Sequence, residues 1–204
     1  MFHVKHQGWA DDARSVGTPL APEQLDALSR FEQLLASVAV PRGMVGARDA
    51  ARLWTRHILD SLRAASEIGP IGRVADLGSG AGLPGVPLAV AVPTASFVLV
   101  EPRRARAAFL ESVTADLGLA NVEVRMARAE RVVDRFDAVV ARAVASAAGT
   151  WKLAGPRLEP SGRLIYWAGG TFDAAELRAM GVAYRVSTHP DLAEAGPLVI
   201  MTRQ

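Results

Sequence analysis

Apolar residues recur along this chain in two rhythms, and the change of rhythm divides it. Between Glu23 and Val40, the residues Leu25, Leu28, Phe31, Leu34, Leu35 and Val38 return at intervals of three and four, the spacing of one face of an α-helix. After the interruption "PRGMVGARD", Leu53, Trp54, Ile58, Leu59 and Leu62 share a second helical face, with Asp49 placed to cap its start. From Arg73 the rhythm shortens. Apolar runs at Val74–Leu77, Phe97–Val100, Val122–Met126, Phe136–Val140 and Arg163–Trp167 alternate with helix-like segments near 86–92, 103–118, 147–157 and 173–179. Such alternation implies right-handed crossovers and a mostly parallel sheet covered on both faces. The last two runs, in "VAYRVSTHP" and "GPLVIMTRQ", have no helix between them, so the sheet is expected to end in an antiparallel pair.

These patterns predict a single α/β domain in three parts. Residues 1–21 show no period and carry Gly8, Gly17 and Pro19, which reads as a loose N-terminal arm. Residues 22–70 read as a helical extension packed on the core, and 71–204 as the core itself. A length of 204 residues suits one domain with a small appendage.

Composition narrows the chemistry. There is no cysteine, which excludes disulfides, thiolate metal sites and cysteine nucleophiles and suits a reducing cytoplasm. The opening "MFHVKHQGWADD" lacks the apolar core of a secretory signal. The most apolar stretch, Val86 to Val92, contains Pro87 and stops at Pro93, far short of the ~20 residues needed to span a membrane. A soluble, cytoplasmic protein without metal is expected, and a monomer. The net charge is +2, and the positive charge is nearly all arginine, with lysine only at Lys5 and Lys152. Arginine's planar fork suits phosphate, but charge alone decides little.

The chemistry concentrates in "VADLGSGAGLPGVPLAV", residues 74–90. Gly80, Gly82 and Gly85 fit the dinucleotide fingerprint G-x-G-x-x-G. That register pushes the motif beyond the strand end and leaves Asp76 without a role. In the other register, Gly78, Gly80 and Gly82 follow Asp76. This arrangement resembles the first motif of class I S-adenosylmethionine-dependent methyltransferases. Glycines there let main chain approach a ligand and adopt positive φ, and Asp76 can meet the ligand's ammonium. Glu101, ending "FVLVE", is placed to accept hydrogen bonds from ribose hydroxyls, although a dehydrogenase would also want an acid there and a helix-start carboxylate is the plainer alternative. The antiparallel end favours the methyltransferase, because that class closes its sheet with such a hairpin.

The continuation "LPGVPLAV" carries Pro84 and Pro87, which are expected to delay the following helix. "GSGAGLPGVPLA" closely resembles the bacterial 16S ribosomal RNA guanine methyltransferases, a family once called glucose-inhibited division protein B. "LWTRHILDSL" (53–62) is similar to that family's R-H-x-x-D-S signature. "EPRRARAAFLE" (101–111), "RAE" (128–130) and "ARAVAS" (141–146) follow in matching order. The resemblance covers the chain from about residue 23 onward. It implies a class I fold, a Rossmann-like seven-stranded sheet with an N-terminal helical extension. It also implies methyl transfer from S-adenosylmethionine to nitrogen-7 of one guanine in 16S ribosomal RNA, free or within the small ribosomal subunit. By resemblance, Gly78, Leu83, Ala129, Glu130 and Arg142 contact the cofactor beside Asp76, Gly80, Gly82 and Glu101. Arg142 is expected to be catalytic, standing between cofactor and RNA. Arg56, His57, Asp60, Arg103 and Arg104 are the candidates for positioning RNA, with a satisfied structural histidine and a solvated arginine face as the plainer readings. The sequence departs from the family at Ala168, where Lys commonly precedes the glycine. Two rivals remain open at this point: a small-molecule methyltransferase on the same fold, and an RNA-binding protein with a degenerate cofactor site.

Overall fold

The computed structural model describes residues 2–69, 72–169, 172–192 and 195–203. Seven strands form one sheet in the order β3-β2-β1-β4-β5-β7-β6. They are β1 (Arg73–Leu77), β2 (Ser96–Val100), β3 (Val122–Arg125), β4 (Phe136–Arg142), β5 (Leu158–Trp167), β6 (Ala183–Ser187) and β7 (Leu198–Thr202). The first five pair in parallel, and β7 runs antiparallel to both β5 and β6. The expected closing hairpin is therefore present. Strand order reverses between β1 and β4, and open α/β sheets place their ligands at such a switch point, outside the carboxyl ends of the strands.

Alternation along each strand sends side chains to two faces. Ala75, Leu77, Val98, Val100, Val139, Ala141, Leu164, Tyr166 and Val199 meet α7 (Ala147–Ala154) and α8 (Ala175–Ala179) on one side. On the other, Leu99 packs with α5 (Gly85–Ala91) and α6 (Arg104–Asp116), while Val74, Phe97, Val140, Ile165 and Trp167 pack beside Leu88. The short apolar strands are buried on both faces, which is why they read as runs rather than as alternation. Pro84 stands just before α5 and Pro87 lies inside its first turn, where the first N–H groups need no helical partner. Thus Pro84 delays the helix as expected, and Pro87 does not.

The extension is more structured than its sequence suggests. Residues Phe2–Ser15 form helix α1, so the expectation of a loose arm over 1–21 is corrected. Trp9, Ala13 and Val16 are buried in the same core as α2 (Pro22–Leu34). Trp9 stacks on Trp54 with ring centroids 3.9 Å apart, and Trp54 Nε1 donates to Asp12 at 2.8 Å. Thr18 donates to the Leu62 carbonyl at 2.8 Å. Docking supplies what periodicity lacks, since short helices owe most of their stability to tertiary packing.

Beyond α2 the chain widens into a π-helical turn at Leu35–Ala39, tightens at Ala47–Arg52, and widens again over Leu53–Leu59. It then enters α3 (Asp60–Leu62) and α4 (Ala65–Ile68). The expected cap at Asp49 is not made: Gly46 holds that position, and the Asp49 carboxylate turns to Arg52 and His57. Gln24 fastens α2 to the core, its Nε2 donating to the carbonyls of Val90 at 2.7 Å and Ala91 at 3.2 Å. The boundary expected at 70/71 falls on residues outside those described.

Candidate active site

The carboxyl ends of β1, β2 and β4 converge on the glycine loop. Gly78, Gly80 and Gly82 have φ of +73°, +59° and +86°, the left-handed region that side chains disfavour. The N–H groups of Gly78 and Ser79 both donate to the Val100 carbonyl, at 2.8 and 3.1 Å, tying the loop to the end of β2. A Cβ on Gly80 would meet only Gly78 O at 3.7 Å and Arg106 Nη1 at 3.8 Å, whereas one on Gly82 would strike Val86 at 2.7 Å. Gly80, at the loop crest, thus has room for a Cβ and no more than ordinary contacts around it, and Gly82 lets the loop seat on α5.

Two acids support this loop. Glu101 is 3% exposed and accepts from Gly80 N at 3.0 Å and Arg103 N at 2.9 Å. It stands at the end of β2 and accepts from the residue before α6, the contact of a helix-start carboxylate. Asp76 is 1% exposed and lies beneath the loop, where Oδ2 accepts from Gly85 N at 3.1 Å. Burial pushes its carboxyl up to about 7, helped by the neighbouring Glu101 and opposed by hydrogen bonds from Ser79 and Gly85. Its Oδ1 has no hydrogen-bond partner. Asp76 Oδ1 is therefore the carboxylate oxygen left wholly available to a ligand.

Gly85, which belonged only to the rejected dinucleotide register, is structurally decisive. A Cβ there would lie 2.4 Å from Leu99 Cδ2 and 2.5 Å from Asp76 Oδ2. Its signal was present in the sequence, but under the wrong ligand. Leu83 is half-buried and packs on the core shared with α5. Ala129, half-buried, and Glu130, exposed, stand in the short turn Ala129–Arg131 beyond β3.

Arg142 ends β4 two residues past Val140, which pairs with Asp76. It is therefore level with the glycine loop, and the following Val144 has Cγ2 3.0 Å from where a Gly78 Cβ would stand. Ala143 between them has φ +55°, a strained setting for a residue with a side chain. The Arg142 guanidinium turns towards the extension: Nη1 is 3.2 Å from Asp60 Oδ2, and Nη2 donates to the Arg56 carbonyl at 3.1 Å. Burial lowers its pKa from the usual range, as do Arg56 and Arg63, while Asp60 opposes them.

Two candidates for positioning RNA make the contacts of the plainer, structural reading. Asp60 is 2% exposed and serves as counter-ion to Arg63, Arg142 and Arg56 at 2.8, 3.2 and 3.8 Å; a carboxylate so enclosed does not face a polyanion. His57 is bound to Asp49 at 3.1 Å and not to Asp60. Burial, then Arg142 and Arg56, lower its pKa to about 4 against the pull of Asp49, so it is neutral at physiological pH and offers phosphate no charge. Arg56 is one-third exposed, and Arg103 and Arg104 are exposed at the start of α6. Arg63, which the motif reading passed over, is a further member of the cluster, its Nη2 donating to Gly196 O at 2.6 Å. At the departure from the family pattern, Ala168 is buried and donates its N–H to Pro197 O at 3.0 Å.

Comparison with known proteins fixes the lineage. A profile described as rRNA small subunit methyltransferase G matches residues 24–193. The chain belongs to that family. It is 43% identical over 187 residues to the ribosomal RNA small subunit methyltransferase G of Mycolicibacterium paratuberculosis, covering 81% of this chain and 74% of the relative. It is 43% identical over 188 residues to its counterpart from a Nocardioides species, covering 91% and 70%. Among solved structures, an S-adenosylmethionine-dependent methyltransferase from Aquifex aeolicus aligns with a TM-score of 0.60 at 16% identity, over 79% of this chain and 97% of that one. That likeness establishes the class I methyltransferase fold. The crevice fits the cofactor of the rRNA small subunit methyltransferase G family, S-adenosylmethionine. Its crest glycine leaves room, its loop presents main chain, one carboxylate ends β2, and a buried carboxylate oxygen beneath lacks a partner. Among the described residues no cluster of acids and histidines could hold a metal ion, and no helix is long and apolar enough to cross a membrane.

Proposed function

We propose that this chain transfers a methyl group from S-adenosylmethionine to nitrogen-7 of one guanine in 16S ribosomal RNA. Membership of the rRNA small subunit methyltransferase G family supports the substrate class. The observation that carries the reading is the glycine crest at Gly80, bonded to buried Glu101 and level with Arg142 across the switch point.

Bound S-adenosylmethionine supplies an electrophilic methyl carried on sulfonium. Glu101 has acceptor capacity beyond its two main-chain donors and would take the ribose hydroxyls. Gly78, Gly80 and Gly82 would offer main chain to the methionyl part, with Asp76 Oδ1 beneath for the ammonium. Leu83 would pack on the cofactor, and Ala129 and Glu130 would meet its adenine edge. Nitrogen-7 has a free lone pair and loses no proton, so the reaction needs no general base. Catalysis then rests on alignment and on placing charge. Arg142 would act there, aligning the incoming purine. Arg56, Arg103 and Arg104 would grip backbone phosphate, each such contact steepening the salt dependence of binding.

The deciding experiment incubates the protein with labelled S-adenosylmethionine and small ribosomal subunits lacking the modification, or the naked RNA, and maps the product. Label confined to nitrogen-7 of a single guanine is expected. Label on another atom, or none on either substrate with cofactor demonstrably bound, overturns the proposal.

A further inference from the structure

Asp60 grips two neighbouring strands at once. Its carbonyl accepts from Trp167 Nε1 at 3.0 Å, and its carboxylate faces Arg142 at 3.2 Å. Arg142 and Trp167 are register partners across the β4–β5 ladder. A single residue of the extension therefore holds the last residues of two adjacent strands, one by main chain and one by side chain.

The exposures of the three arginines are graded. Side-chain exposure rises from 4% at Arg63 through 14% at Arg142 to 33% at Arg56. Arg63, hydrogen-bonded to Gly196 O, would suffice as a structural partner for a buried carboxylate. The additional approach of Arg142 is then a constraint on Arg142. Arg142 Nη1 is buried and has no aligned hydrogen bond, although Asp60 Oδ2 lies 3.2 Å away, so the attraction is electrostatic and Nη1 keeps an unused donor. Without the carboxylate, Arg142 would face Arg56 and Arg63 with only the weaker pull of Asp49 to offset them, and repulsion would drive it from the edge of β4.

We infer that Asp60 is a positioning residue for methyl transfer, holding the Arg142 guanidinium at the carboxyl end of β4 and making no contact with RNA. This rests on Arg142 acting on the incoming purine, as proposed above. Asp60 supplies aim, and Arg142 supplies contact.

Single-turnover transfer to small ribosomal subunits tests it in Asp60→Asn, Asp60→Glu, Arg142→Ala and the Arg142→Ala/Asp60→Asn double variant, with cofactor affinity measured in each. Asp60→Asn should slow transfer about thirty- to a hundredfold, the scale of a misplaced catalytic group, with cofactor affinity within about twofold. Asp60→Glu, which keeps the charge, should recover part of that rate. In the Arg142→Ala background, Asp60→Asn should add less than about a twofold effect, because its route is already cut. Should Asp60→Asn fail to fold, Trp167→Phe removes only the indole donor; it should slow transfer several-fold alone and not at all beside Arg142→Ala. Full-rate transfer by Asp60→Asn, or multiplicative losses in the double variant, would overturn the positioning role. Slow Arg142→Ala with unimpaired Asp60 and Trp167 variants removes this inference alone. Wild-type turnover by Arg142→Ala removes the assignment of Arg142 and the inference with it.

Discussion

The two sides of this crevice are built from different materials. The side proposed for the cofactor is main chain: three glycines at positive φ, anchored to Val100 and braced by Glu101 and Asp76. The opposite side is side chain: one buried aspartate among three arginines drawn from the extension and from β4. The first is contiguous in sequence and rigid by geometry. The second is assembled from residues up to 86 positions apart (56 and 142) and held by charge. Main chain can cradle one ligand only, whereas a charge cluster can be retuned by a single substitution. Affinity should therefore fail when the first is altered, and rate when the second is.

The largest effect is expected at Gly80→Val, where a branched side chain would occupy the crest and meet an unfavourable φ. Cofactor affinity should fall more than about a thousandfold, ~4 kcal/mol, measured by calorimetry. Gly118→Val separates space from strain, because Gly118 has φ +64° with nothing within 4 Å of its would-be Cβ. That variant should lose stability and keep the cofactor; equal binding losses would mean the crest is not a ligand bed. Arg142→Ala comes next, slowing transfer about a hundredfold or more with cofactor affinity nearly unchanged. A loss of affinity instead of rate would erase the division between the two sides. Glu101→Gln should weaken the cofactor about tenfold, the scale of one charged hydrogen bond, and leave the transfer step of the bound complex almost intact.

The subtlest contrast is in pH. Asp76 is held protonated up to about 7 when folded, against 3.8 for a free aspartic side chain. Between those values the folded state binds the extra proton, so its contribution to stability falls as pH rises. His57 is the reverse: its pKa drops from 6.5 to about 4 on folding, so the unfolded state binds the extra proton and stability falls as pH drops through that window. Urea unfolding from pH 4 to 7 should show Asp76→Asn steepening the rise with pH and His57→Gln flattening it. Identical slopes in both variants would contradict the opposed burial of the two groups.

How much of this was legible in the sequence follows the same division. The strands were readable because burial on both faces turns Val98–Val100 and Val139–Ala141 into unbroken apolar runs. The glycine loop was readable because its constraint is local. Helix α1 was not, since among its residues whose burial is described only Trp9 and Ala13 are buried, with Val16 just beyond its end, and its stability comes from docking on Trp54. Nor were the roles of Asp49 and Asp60 readable. Asp49 looked like a cap because caps are local, yet its partners are a histidine eight residues on and Arg52. Asp60 finds Arg142 only after a sheet has formed between them. Gly85 illustrates a third case: the residue was noticed, but what demands a glycine there is Asp76 and Leu99 beneath it.

Trp54, stacked on Trp9, belongs to the segment that delivers Asp60. A protein shorn of α1 would keep its bed for the methyl donor, which α1 does not build. What it would forfeit is the indole stack that steadies the segment leading to Asp60 and, on the role proposed for Arg142, the aim of that arginine: a competent holder of the reagent and a poor marksman with it.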